Sequence, residues 1–202
     1  MRSIFALAAL LALGTGVLSY ASDWKIDPAH SAASFSVRHM MISNVNGQFS
    51  KVTGTVEYDA KSPKNTKIDA TIDATTVNTN ESSRDKHLKG PDFFDVEKFP
   101  TMTFKSKKIV SASKGKMKVL GDLTLHGVTK EVTLNVVGPS AEIKDPRGQI
   151  RIGAAASAVI NRKDFGITYN KTLDNGGVAV GEQVPITIDI ELSKQAKVAD
   201  AN

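Results

Sequence analysis

Histidine is the residue type in this chain best suited to acid–base or metal chemistry, and it occurs four times, at His30, His39, His87 and His126. Their spacing contains neither His-x-His nor His-Glu-x-x-His, short motifs that bring two imidazoles to one metal ion. The sequence also lacks a Gly-x-Ser-x-Gly elbow and a phosphate-binding glycine loop. We therefore expect no catalytic residue, no metal and no cofactor, although histidines distant in sequence can still converge inside a barrel.

His30 and His39 flank the first long predicted strand. A hydrogen-bonding role there, structural or toward the head group of a ligand, is favoured over catalysis. The alternative is a barrel enzyme for a hydrophobic substrate, in which one of the two acts as acid or base. That alternative requires both side chains to face the cavity.

Arg84 is the candidate for binding an anion, because a guanidinium donates two parallel hydrogen bonds to an oxyanion. Three aspartates, Asp85, Asp92 and Asp95, are close enough in sequence to form a salt bridge with it instead. A ligand contact and a structural ion pair are both consistent with the sequence.

Residues 80–100 form the segment that departs most from the rest of the chain. Phe93, Phe94 and Phe99, three of the eight phenylalanines, fall within it. Asn80 as an N-cap and Gly90 before a proline predict a helix over 81–89. Aromatic side chains outside the strands have to be buried, and the open end or flank of a sheet is the place available. The segment is therefore predicted to plug or cover a barrel.

Most of the remaining chain alternates apolar and polar residues with period two, which indicates a sheet with one dry and one wet face. The predicted strands cover residues 31–38, 49–58, 68–77, 101–110, 116–125, 131–137, 149–160 and 184–192. Eight long strands joined by short connections predict an all-β fold, an eight-stranded antiparallel lipocalin-like barrel with a short helical insertion.

Small residues raise the question of what fills the barrel. Ala154, Ala156 and Ala158 share one face of a strand, and Ala70 and Ala74 share a face of another. Bulky side chains opposite them would restore normal packing density. The other interpretation is an apolar cavity, and composition does not decide between the two.

The two ends of the chain, its cysteine content and its charge indicate where the protein is located and which partners it can have. Residues 1–21 read as a cleaved signal peptide, which predicts an exported protein with one domain over 22–195 and a disordered tail over 196–202. The chain has no cysteine, so it has neither disulfides nor thiolate sites. The net charge of +5 comes with lysines grouped near predicted turns. No nucleic-acid partner is expected, whereas peripheral contact with an anionic membrane surface is left open.

Five groups of residues in a fixed order resemble a known family. They are Trp24-x-x-Asp27-x-x-His30-Ser31-x-x-x-Phe35-x-x-x-His39 followed by Gly47-x-Phe49 and Gly54, Arg84-x-x-His87-Leu88, Asp92-Phe93-Phe94-Asp95-Val96 with Phe99-Pro100, Gly121-Asp122-Leu123-Thr124-Leu125-x-Gly127-Val128-Thr129-Lys130, and Arg162-x-Asp164-Phe165-Gly166. In this order the chain, from residue 24 to about 192, resembles the YceI-like family of exported polyisoprenoid-binding proteins.

The resemblance implies a periplasmic carrier that sequesters a long-chain isoprenoid or another amphiphilic lipid in an apolar barrel, and it leaves a homodimer open. It also implies residues that line or gate the pocket: His30, Phe35, His39, Arg84, Phe93, Phe94, Phe99 and Phe165. A third hypothesis is a ligand-free interaction or stress module that docks at the membrane surface with a closed core.

Overall fold

The period-two alternation of the sequence corresponds to a single antiparallel sheet in the structure, a computed structural model that describes residues 22–174 and 176–195. The predicted signal peptide (1–21) and tail (196–202) lie outside the described residues. The strands are β1 (Ser22–Ile26), β2 (Ala32–His39), β3 (Ser43–Phe49), β4 (Val52–Tyr58), β5 (Lys67–Asp73), β6 (Thr101–Ser113), β7 (Lys116–Leu125), β8 (Val128–Val137), β9 (Ile143–Lys144), β10 (Ile150–Asn161) and β11 (Gln183–Lys194).

The sheet closes on itself. From β4 to β8 each strand pairs with the next, β8 pairs with β10, and β10 pairs with β11 along its whole length. β11 then pairs with β1, which returns to β4. Every pairing is antiparallel, and the closed ring leaves each of its strands with a neighbour on both sides, although β8 and β10 pair over only three residues.

Two positions in the ring are each shared by two consecutive strands. β1 pairs with the end of β11 at Leu192–Lys194, and β2 pairs with its middle at residues 186–189, so β1 and β2 follow each other along the same edge. β3 and β4 follow each other in the same way beside β2 and β1. Counted by position, the barrel has eight strands, which confirms the predicted fold class.

The structure differs from the sequence prediction mainly at element ends. The predicted strand over 49–58 begins at Val52, because residues 50–51, between β3 and β4, belong to neither strand. The predicted strand over 68–77 ends at Asp73, whose side chain accepts a hydrogen bond from the Thr75 amide and starts a 3-10 turn, Ala74–Thr76. β1 and β3 were not predicted as strands of their own, because β1 has only five residues and β3 (SNVNGQF) carries only two large apolar side chains in seven positions.

The helical insertion lies between β5 and β6. It contains helix α1 (Ser82–Lys89), whose N-terminus is capped by the Glu81 carboxylate rather than by Asn80 as predicted. Glu81 accepts hydrogen bonds from the amides of Ser83 and Arg84, while Asn80 adopts a left-handed φ of 60°. No residue of α1 is fully buried, and the described residues include no helix long and apolar enough to cross a membrane.

Candidate ligand-binding cavity

The interior of the barrel holds an apolar cavity of about 470 Å³. β11 shows how alternation builds its wall, since every second residue from Val184 to Leu192 contributes a side chain to the lining. The eight residue-to-residue steps of extended strand from Val184 to Leu192 span about 26 Å. The cavity is therefore elongated along the barrel, and its volume falls in the range of about 300–1,000 Å³ that is usual for small-molecule sites.

The alanines on β10 leave this space open. Ala154 and Ala156 lie in the cavity wall, and so does Ala70 on β5. Ala158 and Ala74 are buried in the packed core and do not line the cavity. Of the two interpretations that the sequence left open, the structure therefore favours a cavity over a solid interior.

All charged side chains in the cavity wall are cationic. They are Arg38, Arg84, Arg162 and Lys171, and we call them the cationic end. Within the described part of the chain, the wall contains no aspartate or glutamate, and none of these four side chains forms an ion pair with a carboxylate. The positive charge is therefore available to the contents of the cavity.

Arg162 is the most buried member of the cationic end, with 4% of its surface exposed. Its Nε donates to the Gly181 carbonyl at 2.8 Å, its Nη1 to the Ile167 carbonyl at 2.7 Å and its Nη2 to the Val180 carbonyl at 3.2 Å. Burial lowers the pKa of the guanidinium from its ordinary value, and the charge of nearby Glu182 opposes that shift. The neutral carbonyls orient the guanidinium without neutralising it.

Arg84 is positioned by a small network at the start of α1. Its Nε donates to Thr79 Oγ1 at 2.7 Å and its Nη2 to the Thr79 carbonyl at 3.0 Å. The Asp85 carboxylate in turn accepts hydrogen bonds from the Thr79 amide and hydroxyl at 2.8 and 2.6 Å. The salt bridge that the sequence allowed between Arg84 and Asp85 is thus replaced by a shared contact with Thr79.

Segment 179–181 brings the remaining cations to the same end. The Gly181 amide donates to the Arg38 carbonyl at 2.8 Å, and the Ala179 amide donates to the Lys171 carbonyl at 2.9 Å. Arg162 binds the carbonyls of this same segment. Residues far apart in sequence therefore meet around one stretch of backbone.

Two aromatic clusters lie beside the cations. Phe94 of the insertion stands edge-on to Phe49, with ring centroids 5.3 Å apart, and also contacts Phe35 at 6.4 Å. Phe93 lies 5.0 Å from both His87 and Tyr169. All of these residues line the cavity. The insertion thus covers the cationic end of the barrel with aromatic side chains, as the sequence predicted for a plug.

Five of the eight predicted ligand-binding residues come together in the cavity wall: Phe35, His39, Arg84, Phe93 and Phe94. Their contact with a ligand stays a prediction. Gly47 explains how Phe35 fits, since a Cβ at Gly47 would lie 2.3 Å from the Phe35 ring.

The other three predicted residues lie outside the wall and have structural contacts. His30 is exposed and its Nδ1 lies 3.0 Å from Asp27 Oδ2. Phe165 is fully buried, and its carbonyl accepts a hydrogen bond from His126 Nδ1 at 3.2 Å. The Phe99 ring stacks edge-on against His126 at 4.9 Å. Because these contacts account for all three, nothing in the geometry assigns them to a ligand.

Sequence reasoning missed Arg162, Lys171, Tyr169 and His87 as residues of the wall. The His87 ring packs against Phe93 and Tyr169, while its Nε2 contacts Asp92 Oδ2 at 2.9 Å. Arg162 is the first residue of the last family motif, two positions before Asp164, and that position was the available signal. Lys171 and Tyr169 lie in an irregular stretch whose place in the fold depends on tertiary contacts.

Among the residues that the structure describes, one group of side chains has the ligand types of a metal site: Asp27, His30 and Glu191. Arg151 occupies that position, because its Nη1 donates to Asp27 Oδ2 at 2.7 Å and to Glu191 Oε1 at 2.6 Å. A guanidinium already neutralises the carboxylates, so the donor set does not suit a second cation. The group is an ion-pair network.

A family model described as YceI-like domain matches residues 24–192. The chain belongs to the YceI-like family. A UPF0312 protein of Staphylococcus aureus strain N315 is 34% identical over 172 residues, covering 85% of this chain and 98% of the relative. The family resemblance inferred from the five motifs is therefore confirmed.

Solved structures agree with the barrel fold. The crystal structure of BcnA from Burkholderia cenocepacia superposes with a TM-score of 0.71 at 23% identity, covering 82% of this chain and 98% of that one. A polyisoprenoid-binding domain from Saccharophagus degradans, implicated in plant cell wall breakdown, superposes with a TM-score of 0.63 at 17% identity, covering 85% and 98%. At these identities the likeness supports the fold of the YceI-like chain.

Proposed function

We propose that this YceI-like protein is a periplasmic carrier that sequesters a long-chain isoprenoid or a similar amphiphilic lipid in its barrel. The observation that carries the proposal is the combination of an elongated apolar cavity with a wall whose only charges, among the described residues, are cations at one end. Such a cavity matches a molecule with an oily tail and a polar or anionic head. The similar fold of the polyisoprenoid-binding domain from Saccharophagus degradans adds support.

Burial of the tail supplies the binding energy. Removing a lipid chain from water is worth about 0.8 kcal/mol per methylene, so ten buried carbons gain about 8 kcal/mol before ordering costs. That gain corresponds to roughly micromolar affinity. Because the apolar wall provides it without polar contacts, the cations are needed only to orient the head group.

The head group is placed at the cationic end. Arg162 and Arg84 have fixed orientations, because their hydrogen bonds go to backbone and hydroxyl oxygens. A phosphate or carboxylate there gains charge-assisted hydrogen bonds, which are about twice as strong as neutral ones. His39 and His87 border the same end and can add polar contacts.

A binding role is favoured over an enzymatic one. The enzyme hypothesis required His30 and His39 to face the cavity, and His30 instead lies before β2 on Asp27 while His39 lies at the far end of that strand. The two imidazoles are therefore not available to one substrate. Periplasmic location remains part of the proposal and is supported by the signal-like sequence of residues 1–21.

The test is the lipid content of the purified protein, measured by organic extraction and mass spectrometry. We expect a long-chain amphiphile in the wild type and little or none in Ala154→Leu/Ala156→Leu, whose added side chains would fill the cavity. Ala158→Leu is the matched control: it enlarges a packed position on the same strand and costs about 1–3 kcal/mol of stability, but leaves the cavity open. A wild type without lipid, or equal loading of both variants, would refute the carrier proposal.

A further inference from the structure

The tip of the β2–β3 hairpin exposes three consecutive large apolar side chains. Met40 is 42% exposed, Met41 48% and Ile42 77%. The other exposed large hydrophobics in the described residues, Val110, Val137, Ile143 and Val159, belong to separate strands. Single apolar residues are ordinary on a protein surface, whereas a contiguous group marks an interaction site.

The backbone of the tip adopts a conformation that is unfavourable for methionine. The Ile42 amide donates to the His39 carbonyl at 3.1 Å, and Met40 and Met41 have φ of 50° and 62°. This geometry is a type I′ turn, in which asparagine and glycine are the preferred central residues. Side chains with a Cβ are disfavoured there, and such local strain is typical of functional positions. Packing alone does not require the methionines, since 42% of the surface of Met40 and 48% of that of Met41 stay exposed.

The tip borders the cationic end of the cavity. The Met40 amide donates to the Ala179 carbonyl at 2.7 Å, and Ala179 is joined to Lys171 by a backbone hydrogen bond. His39 and Arg38, the residues directly before the tip, lie in the cavity wall. Apolar side chains and unpaired cations therefore occur together where the cavity meets the surface.

We propose that the hairpin tip docks the protein on an anionic lipid bilayer. Met40, Met41 and Ile42 insert among the acyl chains at the interface, while Arg38 and Lys171 contact anionic head groups. Apolar side chains next to cations are the combination that binds membrane interfaces. When the protein docks in this way, the cationic end of the cavity faces the bilayer. A lipid tail can then pass between the bilayer and the cavity with little exposure to water.

The test is co-sedimentation with vesicles of equal parts phosphatidylcholine and phosphatidylglycerol, with pure phosphatidylcholine vesicles as the comparison. We expect Ile42→Ser to lower partitioning to the anionic vesicles about tenfold, because a large apolar side chain no longer enters the interface. Ile143→Ser, which changes a residue of similar exposure (62%) on β9, is expected to leave partitioning unchanged. Equal effects of the two substitutions would overturn the proposal.

Met40→Asn/Met41→Gly keeps the test independent of folding. Because it supplies the residues that the turn prefers, we expect Tm to rise by at least about 2 °C while vesicle binding falls. Its extracted lipid content should match the wild type, which separates failure of docking from failure of the carrier proposal. If Ile42→Ser abolishes a dimer in size-exclusion chromatography and leaves vesicle binding intact, the tip is a contact between copies and the membrane proposal is wrong.

Discussion

Arg151 and Arg162 stand at opposite ends of β10 and have different partners. Arg151 is surrounded by carboxylates, with Asp27 and Asp145 each at 2.7 Å and Glu191 at 2.6 Å. Arg162 donates only to backbone carbonyls and faces the cavity. The charge of Arg151 is neutralised by carboxylates on neighbouring strands and loops, which it holds together. Arg162 retains its charge, as expected for a residue that meets an anion from outside.

The largest effect should follow loss of Arg151. In Arg151→Met three carboxylates are left close together without a cation, and we expect Tm to fall by roughly 5 °C. Extracted lipid should stay at the wild-type level, because Arg151 does not line the cavity. Thermal unfolding and lipid extraction on the same preparation measure both. Loss of lipid from a variant that remains folded would show that Arg151 also contributes to lipid binding, contrary to the contrast drawn with Arg162.

A smaller effect, on ligand affinity and not on stability, should follow loss of Arg84. We expect Arg84→Gln to weaken binding of a phosphate-headed long-chain amphiphile about tenfold, since a charge-assisted hydrogen bond is lost. Binding of the same chain with a hydroxyl head should change little, and Tm should change less than in Arg151→Met. Titration with the two amphiphiles measures the difference. If both affinities fall equally, Arg84 shapes the cavity and does not recognise the head group.

The smallest effect concerns acid stability. The hydrogen bond from Arg151, followed by that from His30, lowers the pKa of Asp27 from 3.8 to about 2. A carboxyl group with a lowered pKa stabilises the fold above its unfolded pKa, and this stabilisation is lost as pH falls from about 4 to about 2. After allowance for partial exposure, the loss amounts to about 1 kcal/mol.

Urea unfolding of the wild type and of Arg151→Met between neutral pH and pH 2 isolates this contribution. The stability difference between the two proteins should shrink below pH 4, because protonated Asp27 no longer interacts with the arginine as an anion. A constant difference over that range would show that the ion pair does not stabilise the fold.

The barrel could be predicted from the sequence because its signal is local. Ile186, Ile188 and Ile190 alternate with polar residues along β11, and the same pattern marks most of the other strands. The closure of eight positions follows from strand number and short connections. The cap of α1 was misplaced by one residue because Asn80 and Glu81 both have side chains that accept hydrogen bonds from helix amides.

The cationic end could be predicted only in part. Arg84 stands on a helix with recognisable boundaries, whereas Arg162 and Lys171 reach the cavity through contacts with segment 179–181, which has no periodic pattern. The turn at Met40 and Met41 could not be predicted from the sequence for a related reason. Without asparagine or glycine, nothing in the local sequence indicates left-handed backbone.

The pairing of β11 with both β1 and β2 has a kinetic consequence. Trp24 lies opposite Lys194, and Phe35 lies opposite Ile186, so the first and last strands of the described chain meet to complete the ring. Contacts between such distant residues form slowly, since a long loop must close first. Until the last strand joins, the apolar interior is exposed to water along one side. A ligand that binds only the closed barrel would therefore shift the folding equilibrium toward the closed barrel.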